Sequence, residues 1–274
     1  MSWNEFQMHG FLKPLFVTLV FGIGFTTSSV ATTVKISEEV QGFLFAKLDD
    51  IPAGPSPDVS GSLCESFTKQ DPKFEEAKYI EEKGWTILDE IPFAQYRIVA
   101  FAGQFESVTG TCNISQSNIA IFESGNLTGL FYLGSPEENL IGALKLMDAG
   151  FIRIFSGDFA QKLVGELHLS NEGLVLVPVS QFTPYCNGRA IVPNTLGKSI
   201  KDGREVLFKF GFKPVLNEQI SESWERKYFP GINEVVGCSN GIPWCLFEYE
   251  NDYSMVVLST LGDYEIIGDG VSCK

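Results

Sequence analysis

Six cysteines, spread from position 64 to position 273, constrain the possible folds of this chain more than any other feature. An even number of widely spaced cysteines is typical of an exported protein that is held together by disulfides. The sequence has no C-x-x-C motif, so zinc coordination by these residues is not indicated. Six cysteines allow many connectivities, and we expect pairing within each half of the chain. The expected pairs are Cys64 with Cys112, Cys186 with Cys273, and Cys238 with Cys245.

A short apolar run near the N-terminus predicts that the chain is exported. Residues 15–25 are almost entirely apolar, Lys13 precedes them, and Ser29 and Ala31 supply the small residues of a cleavage site. The run is shorter than the ~20 apolar residues that a membrane-spanning helix needs. We therefore expect a signal peptide over residues 1–31, a mature protein without a transmembrane span, and a periplasmic or extracellular location. A buried N-terminal helix is the alternative interpretation.

The charge balance argues against some classes of partner. The chain has 20 Lys plus Arg against 34 Asp plus Glu, a net charge of −14. Nucleic acids and anionic membranes bind through positive charge, so neither is expected as a partner. The sequence contains two histidines, His9 and His168, and His168 is expected to face solvent from a strand. Catalysis by histidine and histidine-rich metal sites are therefore not expected.

The first half of the mature chain has the pattern of a β-rich domain. From Trp85 onward, short apolar or alternating segments are separated by Gly, Asn, Ser and Asp, which predicts an antiparallel sandwich or barrel over residues 32–183. The predicted strands are 85–89, 96–106, 117–123, 128–133, 150–156, 163–169 and 173–179. A helix is predicted before them, with Asp71 as its cap, Pro72 in its first turn and Gly84 at its end. Residues 136–148 fit either a strand or a helix.

The second half has the pattern of a small α+β domain over residues 184–274. Helices are predicted at 199–210, capped by Ser199, and at 218–228. Strands are predicted at 189–192, 233–237, 244–250, 253–259 and 263–267, and a Cys238–Cys245 disulfide would close the hairpin between two of them. The expected fold class is therefore α+β, with a β-rich antiparallel N-terminal domain, a boundary near 181–188 and a small α+β C-terminal domain.

One segment of the C-terminal domain carries a local resemblance. Residues 192–199, Val-Pro-Asn-Thr-Leu-Gly-Lys-Ser, resemble the opening of a PASTA repeat, the extracellular module attached to penicillin-binding proteins and serine/threonine kinases, and the resemblance continues to Phe212. The chain departs from that family at Gly203, where alanine is usual, and after Pro214. The resemblance implies a strand–helix–strand unit over 192–214 and points to cell-wall binding. The whole C-terminal domain also resembles uncharacterised exported bacterial proteins that have a cysteine-rich hairpin.

The segment from Gly237 to Gly241 matches the G-x-S-x-G pattern of a hydrolase nucleophile elbow, with Ser239 at its centre. That elbow requires a helix directly after the serine and a histidine later in the chain. A strand is predicted there instead, and no histidine follows Ser239 in the sequence. Ser239 is therefore predicted to be a structural residue of the hairpin turn, and no catalytic residue is assigned.

Five residues are candidate contacts for a ligand or an ion. Glu248, Glu250 and Asp252 alternate along a predicted strand, so their side chains would share one face and lie ~7 Å apart. Three carboxylates in this arrangement suit Ca²⁺ or acid–base chemistry, and a solvated strand face is the alternative. Trp224 and Trp244 suit stacking on sugar rings, with burial in the core as the alternative. No cofactor is expected and no metal site is assigned.

These observations lead to three hypotheses about function. The first, which we expect, is an exported, non-catalytic binding or structural protein of the cell envelope, with a cell-wall glycan or an exported protein as its partner. The second is a secreted inhibitor or immunity-type protein, for which an acidic surface suits a basic target. The third is a hydrolase that uses carboxylates.

Overall fold

Strand pairing dominates the fold, as the alternating apolar segments predict. The computed structural model describes residues 33–40, 42–60, 62–65, 71–108, 111–134, 141–156, 162–217, 229–239, 244–262 and 264–274. The predicted signal peptide, the predicted helix at 218–228 and Trp224 lie outside the described residues. Within the described residues the sheets are mainly antiparallel and strands far outnumber helices, which confirms the expected β-rich character.

Ten of the described strands form two five-stranded sheets in the first part of the chain. They are β1 (Thr33–Ile36), β2 (Phe43–Ala46), β3 (Thr86–Phe93), β4 (Tyr96–Val108), β5 (Thr111–Glu123), β6 (Asn126–Leu133), β7 (Ile141–Met147), β8 (Phe151–Ser156), β9 (Lys162–Ser170) and β10 (Gly173–Val177). The front sheet has the strand order β2-β6-β5-β4-β3, and the back sheet has the order β1-β10-β9-β8-β7. Neighbouring strands are antiparallel except β1 and β10, which are parallel.

The two sheets share one apolar core because each strand turns alternate side chains inward. Tyr96 and Ile98 of the front sheet and Ile152 and Leu167 of the back sheet are fully buried in this core. Burial of one such side chain stabilises the folded state by ~1.5–3 kcal/mol. The edges of the sheets also approach each other, since β3 lies beside β7 and β1 lies beside β2.

The segment 136–148 fits either a strand or a helix by its sequence. Residues 141–147 form strand β7, and residues 136–140 lie outside the described residues. Apolar side chains recur there at every third position, which imitates a helical face. The register with β8 shifts between Ile141 and Ala143, so a bulge turns both Ile141 and Leu144 toward the shared core. Met147 belongs to a different buried cluster, on the side of the C-terminal residues.

Helix α1 (Glu75–Glu82) covers the outer face of the front sheet. Its Ala77 and Ile80 are buried in one cluster with Val99 and Phe101 of β4. The front sheet is therefore covered on both faces. Burial on both faces accounts for the nearly continuous apolar sequence of β4. A strand with one face in solvent would instead alternate apolar and polar residues.

Helix α1 begins at Glu75, so the predicted cap at Asp71 and first turn at Pro72 are wrong. The carboxylate of Glu90, on β3, accepts hydrogen bonds from the backbone N–H groups of Lys73 (2.6 Å) and Phe74 (2.9 Å). These N–H groups precede the helix and need an acceptor, which a neighbouring strand supplies.

The C-terminal part combines a two-stranded hairpin, a helix and a five-stranded sheet. Its described elements are β11 (Phe182–Tyr185), β12 (Ala190–Pro193), α2 (Ile200–Lys209), β13 (Lys213–Pro214), β14 (Val235–Cys238), β15 (Trp244–Glu250), β16 (Ser254–Leu261) and β17 (Glu265–Cys273). The hairpin joins β11 to β12, and the larger sheet has the order β13-β15-β16-β17, with β14 also paired to β15. Strand, helix and strand follow one another over residues 190–214, and membership of this segment in the PASTA family stays a prediction.

Helix α2 begins as predicted, because the Ser199 hydroxyl accepts a hydrogen bond from the backbone N–H of Asp202 (3.2 Å). Gly203 faces strand β17. A Cβ added at this position would lie 2.2 Å from Cδ1 of Ile266. Glycine, where the PASTA family usually has alanine, therefore lets the helix lie close to the sheet.

Apolar contacts cross the boundary predicted near 181–188. Met147 and Phe151 of the back sheet lie in the same buried cluster as Tyr185 of the C-terminal part. Residues 32–274 form one compact unit by their contacts. The division of residues 32–274 into two domains stays a prediction.

The six cysteines form three disulfides, and each has the expected partners. The pairs, with their Cα–Cα distances, are Cys64–Cys112 (5.0 Å), Cys186–Cys273 (5.5 Å) and Cys238–Cys245 (4.1 Å). Cys238 and Cys245 lie directly opposite each other on β14 and β15. This pair therefore closes the hairpin between the two strands.

Candidate functional site

A cleft opens at one end of the C-terminal sheet, where helix α2 ends and strand β15 turns into β16. It is lined by Phe210 and Gly211 at the end of α2, Lys213 of β13, residues 250–253 and Lys274, and its volume is about 350 Å³. Sites for small molecules begin at about this size. We name it the C-terminal cleft and take it as the candidate functional site.

The turn that forms one wall of the C-terminal cleft is held by Asn251. Its side-chain oxygen accepts hydrogen bonds from the backbone N–H groups of Tyr253 and Ser254 (both 2.9 Å) and from the Ser254 hydroxyl (3.1 Å). The Asn251 N–H donates to the Ser254 carbonyl (2.9 Å). Asparagine favours turns because its side chain bonds to the backbone two residues on. The position of Tyr253 at the cleft follows from this turn.

Lys274 connects the end of β15 to the same turn. Its ammonium donates to Oε2 of Glu250 (2.7 Å) and to the Asn251 carbonyl (2.9 Å), and its backbone N–H donates to the Tyr253 carbonyl (3.0 Å). Lys213 lies opposite Glu250 in the β13–β15 ladder, and no ion pair joins it to another described residue. An exposed ion pair contributes little stability. The main effect of the Lys274 contacts is to orient Glu250 at the cleft.

Exposed aromatic side chains stand at the C-terminal cleft. Phe210 is 40% exposed and Tyr253 is 46% exposed. The Phe210 ring centroid lies 5.3 Å from that of Phe182, which is also exposed. Single exposed apolar residues are common, but grouped ones mark binding surfaces. The cleft therefore offers apolar ring faces next to carboxylate and ammonium groups.

Two of the five predicted contact residues, Glu250 and Asp252, line the C-terminal cleft. Asp252 lies beyond the end of β15, so the prediction that three carboxylates alternate along one strand is wrong. The strand ends there because Asn251 starts its turn. Glu248 is half-buried within β15 and does not line the cleft. Trp244 lies at the opposite end of that strand, ~20 Å away at the rise of an extended chain.

Sequence reasoning missed six lining residues of the cleft, and four of them present a ring or an ammonium group: Phe210, Lys213, Tyr253 and Lys274. The Asn-Asp-Tyr-Ser sequence after a strand was an available signal for Tyr253, because asparagine there indicates a turn that displays its neighbours. The other three come together only through the folding of distant segments. No group of three or more His, Cys, Asp or Glu side chains within the described ranges could hold a metal ion.

Ser239 extends the ladder between β14 and β15. Its backbone N–H donates to the carbonyl of Trp244 (2.9 Å), next to the disulfide, and a strand begins at Trp244. Residues 240–243 of the predicted turn lie outside the described residues. The structural role of Ser239 stays a prediction.

A second polar cluster is buried between the back sheet and the C-terminal part. Its centre is Arg153 of β8, which is 4% exposed. The guanidinium donates to Oε1 of Glu166 (3.3 Å), Oη of Tyr185 (2.7 Å), Oδ1 of Asp269 (2.9 Å) and Oγ1 of Thr183 (2.8 Å). We name these five residues the Arg153 cluster. Because its members come from both parts of the chain, the cluster joins β8 and β9 to β11 and β17.

The second carboxylate oxygen of Glu166 has its own partners. It accepts hydrogen bonds from the Ser180 hydroxyl (2.6 Å) and N–H (3.2 Å) and lies 3.0 Å from Nε2 of His168. Burial opposes ionisation of Glu166, but the hydrogen bonds and the charge of Arg153 outweigh it and hold its pKa below the ordinary value. The His168 ring stacks on Phe151 at 4.6 Å and its side chain is 35% exposed, so it faces solvent only in part.

An acidic pocket of about 370 Å³ lies beside helix α1. Its lining includes Asp49, Glu75, Glu76, Tyr79 and Asn126. Carboxylates in the first turn of a helix are favoured by the positive end of the helix dipole. The pocket therefore presents negative charge to solvent at a place where the fold stabilises it.

No protein-family model, no curated protein and no solved structure matches this chain. In the part of the chain that the structure describes, no helix is both long enough and apolar enough to cross a membrane.

Proposed function

We propose that the protein is an exported binding protein of the cell envelope that acts through the C-terminal cleft. The observation that carries this proposal is the cleft itself, where the exposed rings of Phe210 and Tyr253 stand beside a turn that Asn251 holds in place. Three disulfides are compatible with an oxidising compartment outside the cytoplasm.

The arrangement of charges supports binding better than carboxylate catalysis. Glu250 already holds the ammonium of Lys274 at 2.7 Å, and Asp252 is an exposed turn residue. Acid–base catalysis by two carboxylates needs one of them to keep a proton near neutral pH, which requires burial or a close second carboxylate. Glu250 is instead half-exposed and bonded to an ammonium, and Asp252 is exposed.

The test is retention of the purified mature protein on envelope material. Tyr253→Ala and Phe210→Ala are expected to lower retention about tenfold each, because 1.4 kcal/mol of lost contact corresponds to that factor. Leu146→Ala is the matched control, since Leu146 is 47% exposed on β7 and does not line the cleft. Retention that is equal in all three variants would overturn the proposal.

The acidic pocket beside α1 supports a second candidate, an inhibitor or immunity-type protein that binds a basic exported protein. Opposite charge speeds the encounter of such partners and makes it sensitive to salt. Glu75→Lys and Glu76→Lys together are expected to abolish capture of a basic protein from an envelope extract. Capture that survives this double change and is lost in Tyr253→Ala would assign the protein partner to the C-terminal cleft instead.

A further inference from the structure

We infer that the C-terminal cleft binds a neutral saccharide of one or two rings. This inference rests on the proposed binding function and names the chemical class of its ligand. It follows from four properties of the cleft, which are its size, its backbone, its ring faces and its charge.

The size of the cleft limits the ligand to a small molecule. Its volume of about 350 Å³ is at the lower end of the ~300–1,000 Å³ that small-molecule sites occupy. A folded domain or a long polymer segment can be held here only through one small part. The recognised unit is therefore one or two rings in size.

The backbone of the turn has few groups left for a ligand. The N–H groups of Asn251, Tyr253 and Ser254 donate within the turn, and the carbonyls of Asn251 and Tyr253 accept from Lys274. A peptide that adds to a sheet is recognised mainly by main-chain hydrogen bonds. Recognition at this wall must instead come from side chains.

The side chains that remain suit a sugar ring. A pyranose has an apolar C–H face, which packs on an aromatic ring, and an edge of hydroxyl groups that donate and accept hydrogen bonds. Phe210 and Tyr253 supply the rings. Asp252 and Oε1 of Glu250, which bonds to no described residue, are acceptors, and Lys213 is a donor. A purely apolar ligand would cover these charged groups without bonding to them, which is costly.

The charges at the cleft favour a neutral ligand. The carboxylates of Glu250 and Asp252 balance the ammonium groups of Lys213 and Lys274, so the lining side chains carry no net charge. The chain as a whole carries a net charge of −14, which repels anions at a distance. A charged ligand therefore meets no excess of opposite charge among these side chains.

The experiment is a titration of the ¹⁵N-labelled mature protein, followed by NMR. The probes are cellobiose and N,N′-diacetylchitobiose as neutral disaccharides, a glucosamine disaccharide as the cation, a glucuronic-acid disaccharide as the anion, and triglycine as the peptide. At least one neutral disaccharide is expected to shift the amide signals of residues 251–254 and to saturate. Each charged probe is expected to bind about tenfold more weakly or not at all, a difference of about 1.4 kcal/mol.

Variants assign the binding to the cleft. Tyr253→Phe keeps the ring and is expected to bind within about threefold of the wild type, whereas Tyr253→Ala is expected to bind about tenfold more weakly. Leu146→Ala is the control for folding and is expected to bind like the wild type. Saturation by triglycine or by a charged disaccharide alone would overturn the inference, as would disaccharide binding that Tyr253→Ala leaves unchanged.

The two proposals fail in different ways. If no saccharide saturates but Tyr253→Ala still lowers retention on envelope material, the saccharide inference is wrong and the proposed binding function stands. If no saccharide saturates and retention is also unchanged in Tyr253→Ala, both are wrong.

Discussion

At the scale of single residues, close approaches of backbone to backbone decide which positions accept a side chain. Gly54 is the clearest case, because its N–H donates to the carbonyl of Lys83 (2.7 Å) and a Cβ there would lie 2.4 Å from the carbonyl oxygen of Gly84. Trp85 also holds this loop, because its indole N–H donates a hydrogen bond to the carbonyl of Pro52 (2.7 Å). The loop around Gly54 is thereby fastened to the end of helix α1.

Gly54→Ala is therefore expected to destabilise the protein by about 1–3 kcal/mol, the usual cost of an added group in a filled space. Gly237→Ala is the control, because no atom of the described residues beyond its chain neighbours lies within 4 Å of a Cβ at Gly237, and its effect is expected to stay within about 0.5 kcal/mol. Urea unfolding measures both free energies. Equal midpoints for the two variants would contradict the close approach at Gly54.

At the scale of elements, helices α1 and α2 differ in what starts them. Helix α2 carries its own cap in Ser199, whereas the residues before α1 depend on Glu90, which lies on a strand. The first arrangement is local and visible as a sequence pattern. The second forms only when strand β3 is in place.

The hairpin of β14 and β15 depends on the Cys238–Cys245 disulfide. The two cysteines are only seven positions apart, so closing the loop lowers the conformational entropy of the unfolded chain by an amount worth ~2–3 kcal/mol. Replacing both cysteines by serine is expected to lower the free energy of unfolding by about that amount. Ser239→Ala is the control within the same hairpin and is expected to leave the melting temperature nearly unchanged. Labelling of Ser239 by a fluorophosphonate probe, lost in Ser239→Ala, would show that this serine is a nucleophile.

At the scale of the whole molecule, the Arg153 cluster joins the back sheet to the C-terminal part. Arg153→Met is expected to destabilise the protein by about 3–5 kcal/mol, because Glu166 and Asp269 would stay buried without their cation. Lys35→Met is the control: Lys35 forms an exposed pair with Glu172, and its loss is expected to cost no more than about 1 kcal/mol. Chemical denaturation compares the two. Similar losses in both variants would show that the cluster contributes no more than a surface pair.

The same cluster predicts how stability depends on pH. The pKa of Glu166 lies below its ordinary value of 4.5 in the folded protein, mainly because hydrogen bonds and Arg153 outweigh burial. The resulting stability is present above pH 4.5 and is lost as the pH falls through the lowered pKa. Melting temperatures between pH 7 and pH 3 are therefore expected to fall less steeply for Glu166→Gln than for the wild type. Glu82→Gln changes an exposed glutamate and is expected to follow the wild-type curve.

The sequence by itself determined the features whose information is local. Alternating apolar residues predicted most strands, and the Ser199 cap predicted the start of helix α2. The even number of cysteines predicted three disulfides, and the expectation of pairing within each half gave the partners found. Each of these signals lies within a few residues or in a simple count. The physical reason is that strand alternation, helix capping and oxidation depend on neighbouring residues and on the compartment.

Only the tertiary structure decided the features that combine distant residues. The sequence of strand β7 has the apolar spacing of a helix because its apolar residues are buried on two faces and a bulge shifts their register. The C-terminal cleft joins Phe210 to Tyr253 and Lys274, and the Arg153 cluster joins β8 to β17. No local pattern specifies these long-range contacts, since they follow from how the sheets and the helix pack against one another.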